Sequence, residues 1–437
     1  MIFIEHTSFN SATIQDNYGA PQYSYHFVMK AFEPVLDRLG TRVWVDAPQH
    51  QVDPIFAAAS ARGEDCLFLS YSPPHNTTLG LACPTAPVFA WEYDTIPNET
   101  WNSDPRHDWR HVLARTGLAL TLCRSAAAAV HRSMGEDYPI WVTPAPVFDR
   151  FAARRSEARG WREPFALTVD GAVAISAGDA DLSIFQPDRP EADGLRALRL
   201  LQRAQAGGAQ ARRTLRLEGV VYTSVLCPRD ARKNWADMVT GFVWAFRNTP
   251  TATLVLKLTQ AAIDEAVAPV LRLLSTLGAF ECRIVLIHGL LSDDAYAALI
   301  DATSYTVNTS VGEGQCLPLV EYMAGGRPAV APAHTAMLDY ITPENAFVLA
   351  STEREAIWPQ DERGVVRGRN HKISFADLVR QYRASYAAAR DEARYRRMST
   401  AAIASVEAFC SEDVVAARLT EMLAWLKSSP GRQRRTA

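Results

Sequence analysis

Short apolar runs alternate with amphipathic stretches along most of this chain. Residues 2–5 form the first run, and the polar loop NSATIQDNYGAPQYS follows. An amphipathic stretch over 23–39 then ends at Gly40. Apolar runs recur at 43–45, 66–70, 87–91, 118–123 and 139–144. Between the last two, RSAAAAVHRSMG predicts a helix stopped by Gly135. Strands alternating with helices build βαβ units and a parallel sheet. Residues 1–150 are therefore expected to form one Rossmann-like domain.

The alternation resumes at 219–228. Helices are expected over 235–246, 261–277 and DDAYAALIDA, with strands at 253–258 and 283–289. Strands at 304–310 and 327–332 flank the helical segment PLVEYMAGG. This predicts a second doubly wound domain over 216–400. Residues 151–215 are rich in Arg, Ala, Gly and Asp and read as an insertion or linker with some secondary structure. Their arginines read as a solvated face. From about residue 373 the pattern is helical, and 401–437 is a C-terminal helix followed by a basic tail, KSSPGRQRRTA, read as disordered. No solenoid repeat is present. The expected fold class is α/β, with two Rossmann-like domains facing across a cleft. Ligands of open α/β sheets bind outside the carboxyl ends of the strands, so the chemistry is sought just after strands.

Composition narrows the function. A chain of 437 residues holds about two or three domains. With 48% hydrophobic and 21% charged residues, whole-chain disorder is excluded. Forty-five Lys and Arg against 48 Asp and Glu leave a net charge of −3, which excludes a uniformly basic nucleic-acid coat. No nucleic-acid partner is expected. The seven cysteines are odd in number and form no CxxC, which argues against a disulfide framework or zinc ribbon. A reducing compartment fits. The N-terminus lacks the basic region of a signal peptide, and the chain has no run of 18 apolar residues, the length that would span a bilayer. A cytoplasmic protein is expected.

The most informative string is SYTVNTSVGEGQCLPLVEYMAGGRPAVAP, residues 304–332. A strand runs into a loop with Glu313 and Gly314. Pro318 marks a helix start, and Glu321 falls in the first turn. The two glutamates, spaced E-x7-E, are expected to face one crevice. The helix N-terminus beside them suits a phosphate. Carboxylates for sugar hydroxyls next to amides for a diphosphate describe a nucleotide-sugar site. A second string, SVLCPRDARKNWADMVTGF over 224–242, puts Lys233 at the mouth of a strand, with Arg229 or Arg232 as its partner. Two cations there neutralise a diphosphate as its charge grows, Arg as a planar fork and Lys as a point charge.

EGQCLPLVEYMAGGRPAVAP resembles the donor-site signature of the retaining GT-B glycosyltransferases of family 4 type (group 1 glycosyltransferases), whose usual form is EG-x-G-x-P-x-x-E-x-M-x-x-G-x-P-V-V. Glu313, Gly314, Pro318, Glu321, Met323, Gly326 and Pro328 match, and Cys316 stands where the family usually has Gly. The loop HTAMLDYITPENAFVL is similar to the family segment that closes over the donor sugar. NYGAPQYSYHF, with Gly19, is similar to the family's Gly-rich acceptor-side loop. AWEYDTIP is similar to its HD-x-x-P segment, with Tyr93 in place of the His. The resemblance is good over 219–350, fair over 1–150 and absent over 151–215.

The resemblance implies a GT-B fold in which C-terminal helices cross back to the first domain. It implies transfer of a sugar, with retention, from a nucleoside-diphosphate donor to a saccharide or lipid-linked saccharide, commonly in bacterial surface polysaccharide synthesis. Lys233, Arg229 and Glu313 are then the catalytic candidates. Arg232, Gly314, Gln315, Cys316, Leu317 and Glu321 are donor-binding candidates, Glu313 holding hexose hydroxyls and Glu321 the ribose. Gly19, Glu92 and Asp94 lie on the acceptor side. No metal and no cofactor is implied, the nucleotide sugar being a co-substrate, and a peripheral contact at the inner face of a membrane fits the acceptor. Two other readings stand beside this one: a nucleotide-sugar epimerase of the same fold, and a non-catalytic sugar-nucleotide-binding scaffold. Lys233→Ala is expected to lower transfer while leaving the fold intact.

Overall fold

A computed structural model describes residues 1–101, 103–170, 172–175, 212–358, 361 and 363–428. The first half runs β1 (Ile2–His6), α1 (Ser24–Leu39), β2 (Thr41–Trp44), α2 (Pro48–Ser60), β3 (Cys66–Tyr71), β4 (Thr85–Phe89), α3 (Trp109–Thr116), β5 (Ala119–Thr121), α4 (Arg124–Met134) and β6 (Ile140–Val142). Its six strands form one parallel sheet in the order β2-β1-β3-β4-β5-β6. All six residues of β3 are buried, as expected for a strand covered on both faces. The pattern reading did not include α2, whose Pro48 sits in the first turn where its missing N–H costs nothing. Strand β4 stops at Phe89, so Ala90–Trp91 turn out of the sheet rather than extending it.

The second half runs β7 (Arg162–Asp170), β8 (Ala172–Ile175), β9 (Arg212–Leu226), α5 (Trp235–Phe246), β10 (Ala252–Leu258), α6 (Ile263–Thr276), β11 (Arg283–His288), α7 (Asp293–Ala302), β12 (Tyr305–Val307), α8 (Leu317–Ala324), β13 (Ala329–Pro332), β14 (Ala346–Leu349), β15 (Ser351–Ile357), β16 (Val366–Ile373), α9 (Phe375–Ala388), α10 (Glu392–Cys410) and α11 (Glu412–Ser428). The sheet order is β14-β13-β12-β9-β10-β11-β8, with β7 antiparallel to the start of β9 and β8 antiparallel to β11. The segment read as an insertion or linker thus supplies two strands; its residues 176–211 lie outside the described residues, as do 429–437 of the basic tail. The strand expected over 304–310 is confined to Tyr305–Val307, because Asn308 folds its side chain back to accept the Ser310 N–H at 2.7 Å. The hairpin β15–β16 was missed. Its burial pattern, half exposed and strongly charged, hides the strand period.

Helix α11 crosses back onto the first half, as expected. Arg38 Nη2 meets Asp413 at 2.8 Å, Arg418 Nη1 donates to the Val142 carbonyl at 3.1 Å, and the Trp141 and Trp425 rings lie 4.9 Å apart. One buried apolar cluster accordingly runs through both halves, from Phe3 and Leu36 to Val320, Leu419 and Met422. Among the described residues no helix is long and apolar enough to cross a membrane.

Candidate active site in the interdomain cleft

The chain leaves β9 at Leu226 and makes a short turn, Ala231–Lys233, capped by Asp230, whose carboxylate accepts the Arg232 N–H at 3.1 Å. Asn234, at φ +48°, bends it into α5. The loop after β12 grips this turn from the other side. The Val311 N–H donates to the Arg232 carbonyl at 2.8 Å, and Thr309 Oγ1 donates to the Lys233 and Asn234 carbonyls at 3.1 Å each. These bonds fix Lys233 so that Nζ donates to Glu313 Oε1 at 2.7 Å and Oε2 at 3.0 Å. Ser310 Oγ (2.6 Å) and Asn308 Nδ2 (3.1 Å) also donate to Oε1. Burial alone would raise the pKa of Glu313, but Lys233, Arg232 and Ser310 outweigh it and bring the carboxyl down to about 2. Burial likewise lowers that of Lys233 and Glu313 more than reverses it. The pair is ionised, with both charges met.

Arg232 and Arg229 part company. Arg232 pairs with Asp230 at 2.7 Å and with Glu92 of the first half, so it spans the cleft. Arg229 stands in solvent, paired with Glu265 at 2.8 Å.

Gly314 lies against the turn after β4: a Cβ there would stand 2.6 Å from Ala90 Cβ and 3.0 Å from the Trp91 nitrogen. Gln315 makes a reciprocal pair of bonds with the backbone of Ala145, at 2.8 and 3.0 Å, where the chain passes between the halves. Its side chain holds the two halves together and is committed to that task. Cys316 adopts φ +63° and ψ +65°, a left-handed conformation that costs an L side chain and suits glycine. The Asn308 amide meets the Cys316 sulfur at 3.0 Å. Leu317 opens α8 and Pro318 follows it, one residue later than expected. Glu321 therefore lies past the first turn. Its Oε2 accepts the Tyr296 hydroxyl at 2.6 Å, and burial pushes its pKa up. The two glutamates keep separate partners.

On the first half, Gly19 has φ +85°, and a Cβ there would stand 2.1 Å from the Thr259 carbonyl oxygen. The loop after β1 thus leans directly on the end of β10. Asp94 is engaged with the hairpin: its Oδ1 accepts the Arg369 N–H at 2.7 Å, and Thr95 Oγ1 donates to the Arg367 carbonyl at 2.7 Å. Tyr93 packs against Trp91 with ring centroids 5.2 Å apart, and burial raises its hydroxyl to about 12.

Several residues in the cleft were not singled out from sequence. His334 and His371 stack 4.2 Å apart next to the Glu313 loop, where Thr335 Oγ1 accepts the Glu313 N–H at 3.0 Å. Burial, helped by His371, brings His334 down to about 3. These histidines have no motif spacing, since β16 brings His371 in from a distance. Lys257 is different. It is the one charge in TLVLKL, and an ammonium inside an apolar strand was a visible signal. Lys257 is 2% exposed, its Nζ meets the Tyr18 hydroxyl, and it sits 4.3 Å from the centroid of that ring. Among the described residues no group of three or more His, Cys, Asp or Glu is placed to hold a metal ion.

No family model and no curated protein matches the sequence. Solved structures do match in fold. Anabaena HepE in complex with UDP aligns with a TM-score of 0.52 at 12% identity, over 97% of this chain and 99% of that one. A glycosyltransferase from Rickettsia africae aligns with a TM-score of 0.53 at 9% identity, over 98% of each chain. Sucrose-phosphate synthase from Thermosynechococcus elongatus aligns with a TM-score of 0.50 at 14% identity, over 98% and 99%. The chain has the GT-B fold along its length.

Proposed function

We propose that this protein is a retaining glycosyltransferase that moves a sugar from a nucleoside-diphosphate donor to a saccharide or lipid-linked saccharide. The observation that carries the reading is the ionised Lys233–Glu313 pair in the cleft, with Arg232 bridging to Glu92 beside it. The UDP held by the similarly folded Anabaena protein supports a nucleoside diphosphate as the leaving group.

The donor diphosphate lies at the start of α8, where the positive end of the helix favours an anion. Lys233 and Arg232 stabilise the charge that grows as the bond from the anomeric carbon to the phosphate oxygen breaks. Glu313, kept ionised, accepts hydrogen bonds from donor sugar hydroxyls, and Glu321 accepts from the ribose. The acceptor oxygen attacks the anomeric carbon on the face the phosphate leaves, and its proton passes to that phosphate. Arg229 has no part, since Glu265 holds it in solvent. Gly19, Glu92 and Asp94 shape the acceptor side through the backbone and the interdomain contacts. Surface polysaccharide assembly at the inner face of a membrane is the setting proposed.

The test is a panel of nucleotide sugars with the purified protein. A donor at 100 times its dissociation constant should stabilise the protein by about 2.7 kcal/mol, and that donor should release its nucleoside diphosphate with the acceptor present. Product NMR reports the anomer. If every donor leaves the melting temperature unchanged and none turns over, the assignment is wrong; an inverted product removes retention alone.

A further inference from the structure

Lys257 is the penultimate residue of β10, between Val225 of β9 and Ile287 of β11 in register. An ammonium has three hydrogens to donate, and taking one out of water is costly unless it is paired. Here its partner is the Tyr18 hydroxyl, and among the described residues no carboxylate comes within ion-pairing distance. Lys233 presents the opposite case, with its charge met by Glu313.

The partner of Lys257 belongs to the other half of the molecule. Tyr18 precedes Gly19, in the loop that rests on Thr259 and Gln260, and Tyr23 donates to Thr259 Oγ1 at 3.2 Å. The Tyr18 and Tyr23 rings pack edge to face, 5.4 Å apart. The Cys227 thiol, at the start of the turn that carries Lys233, meets the Gly19 carbonyl at 3.8 Å and the Gln260 side-chain oxygen at 3.6 Å. The loop that carries Tyr18 therefore lies between the turn that carries Lys233 and the end of β10 that carries Lys257.

We propose that Lys257 is a second cation for the anionic part of the nucleotide donor, and that Tyr18 is a displaceable stopper that faces it when the loop after β1 is closed on the second domain. The proposal rests on the glycosyltransferase reading above. A phosphate oxygen supplies the negative acceptor that the Tyr18 hydroxyl does not, so the donor exchanges with the tyrosine. Lys233 then serves the sugar end of the diphosphate and Lys257 the nucleoside end.

Calorimetric titration tests this, using whichever of UDP, GDP, ADP, CDP and dTDP binds wild type, together with its free nucleoside. Lys257→Met is expected to weaken the diphosphate roughly 10- to 100-fold, the range of a charge-assisted contact, while the nucleoside changes by less than about threefold. Lys257→Arg should keep most of the diphosphate affinity. Tyr18→Phe, which removes the competing acceptor, should tighten the diphosphate. Equal diphosphate affinity in wild type and Lys257→Met overturns the inference alone, as does an equal loss of nucleoside and diphosphate. Should Lys257→Met not fold, Tyr18→Phe decides, since unchanged or weaker diphosphate binding also overturns it. If no nucleoside diphosphate binds wild type, the functional reading falls and this inference falls with it.

Discussion

Lys233 directs two hydrogen bonds at one carboxylate, that of Glu313, at 2.7 and 3.0 Å, and Glu313 is only 4% exposed. Neither residue can be removed alone without stranding the other's charge. Breaking a buried pair costs about 3–5 kcal/mol, and partial solvent access at Lys233 puts this case near the lower end. Lys233→Ala is therefore expected to lose stability as well as transfer, in contrast to the intact fold expected from sequence. Urea denaturation should show the loss, and adding Glu313→Gln should recover most of it. Full stability in Lys233→Ala would mean that the pair is not buried as described.

The same pair sets an acid limit. Glu313 titrates near 2 in the folded protein against about 4.3 in an unfolded chain. Its contribution is present above pH 4.3 or so and fades as pH falls towards 2. Glu313→Gln should flatten stability against pH between 5 and 2. An unchanged acid limb would place the carboxyl's pKa back in the ordinary range.

Lys257 works in the opposite direction. Burial brings its ammonium down to about 7, with Glu321 opposing. An unfolded chain keeps that proton up to about 10.4. Between these values the unfolded chain binds more protons, so stability rises with pH. Lys257→Met should raise the melting temperature at pH 6 and lessen that rise. A destabilised Lys257→Met would mean that the ammonium is a structural asset.

Glu321→Ala is expected to cost about 1.5–3 kcal/mol of nucleotide affinity, or roughly 10- to 150-fold. Calorimetry with the nucleoside diphosphate, and with an analogue lacking ribose, separates the roles. Removing ribose should hurt wild type far more than the mutant. Equal binding by both proteins would leave Glu321 only its bond to Tyr296.

The two arginines of the β9 turn should behave differently. Arg232→Ala strands Glu92 across the cleft and should lower transfer about 100-fold or more, on the scale of one lost preorganised contact. Arg229→Ala breaks an exposed pair worth about 0–1 kcal/mol and should leave turnover within a few-fold. Initial rates on both variants decide, and a large loss at Arg229 would reverse the assignment.

Much of the fold was legible because the buried strands, CLFLSY above all, carry an apolar run that nothing else explains. The hairpin β15–β16 was not legible, since polar pairs cross it, Glu353 with Arg369 and Arg354 with Asn370, and leave little apolar alternation. In the site, spacing located Lys233, Glu313 and Glu321 as candidates. It gave no view of which side chains satisfy one another. The bond from Lys233 to Glu313, the clasp of Gln315 on Ala145 and the engagement of Arg229 by Glu265 all join residues far apart in the chain. Only packing decides such pairs.

The return of α11 to the first half has a consequence for synthesis. The helix that packs on Trp141 and pairs with Arg38 is translated about 270 residues after the strand it covers. At about 5–20 residues per second, the stretch from Val142 to Glu412 takes roughly 15–50 s to make. For that interval the nascent first domain carries an apolar face whose cover has not yet been translated. A chaperone that shields this face would have a defined time window, which closes once α11 has emerged and docked.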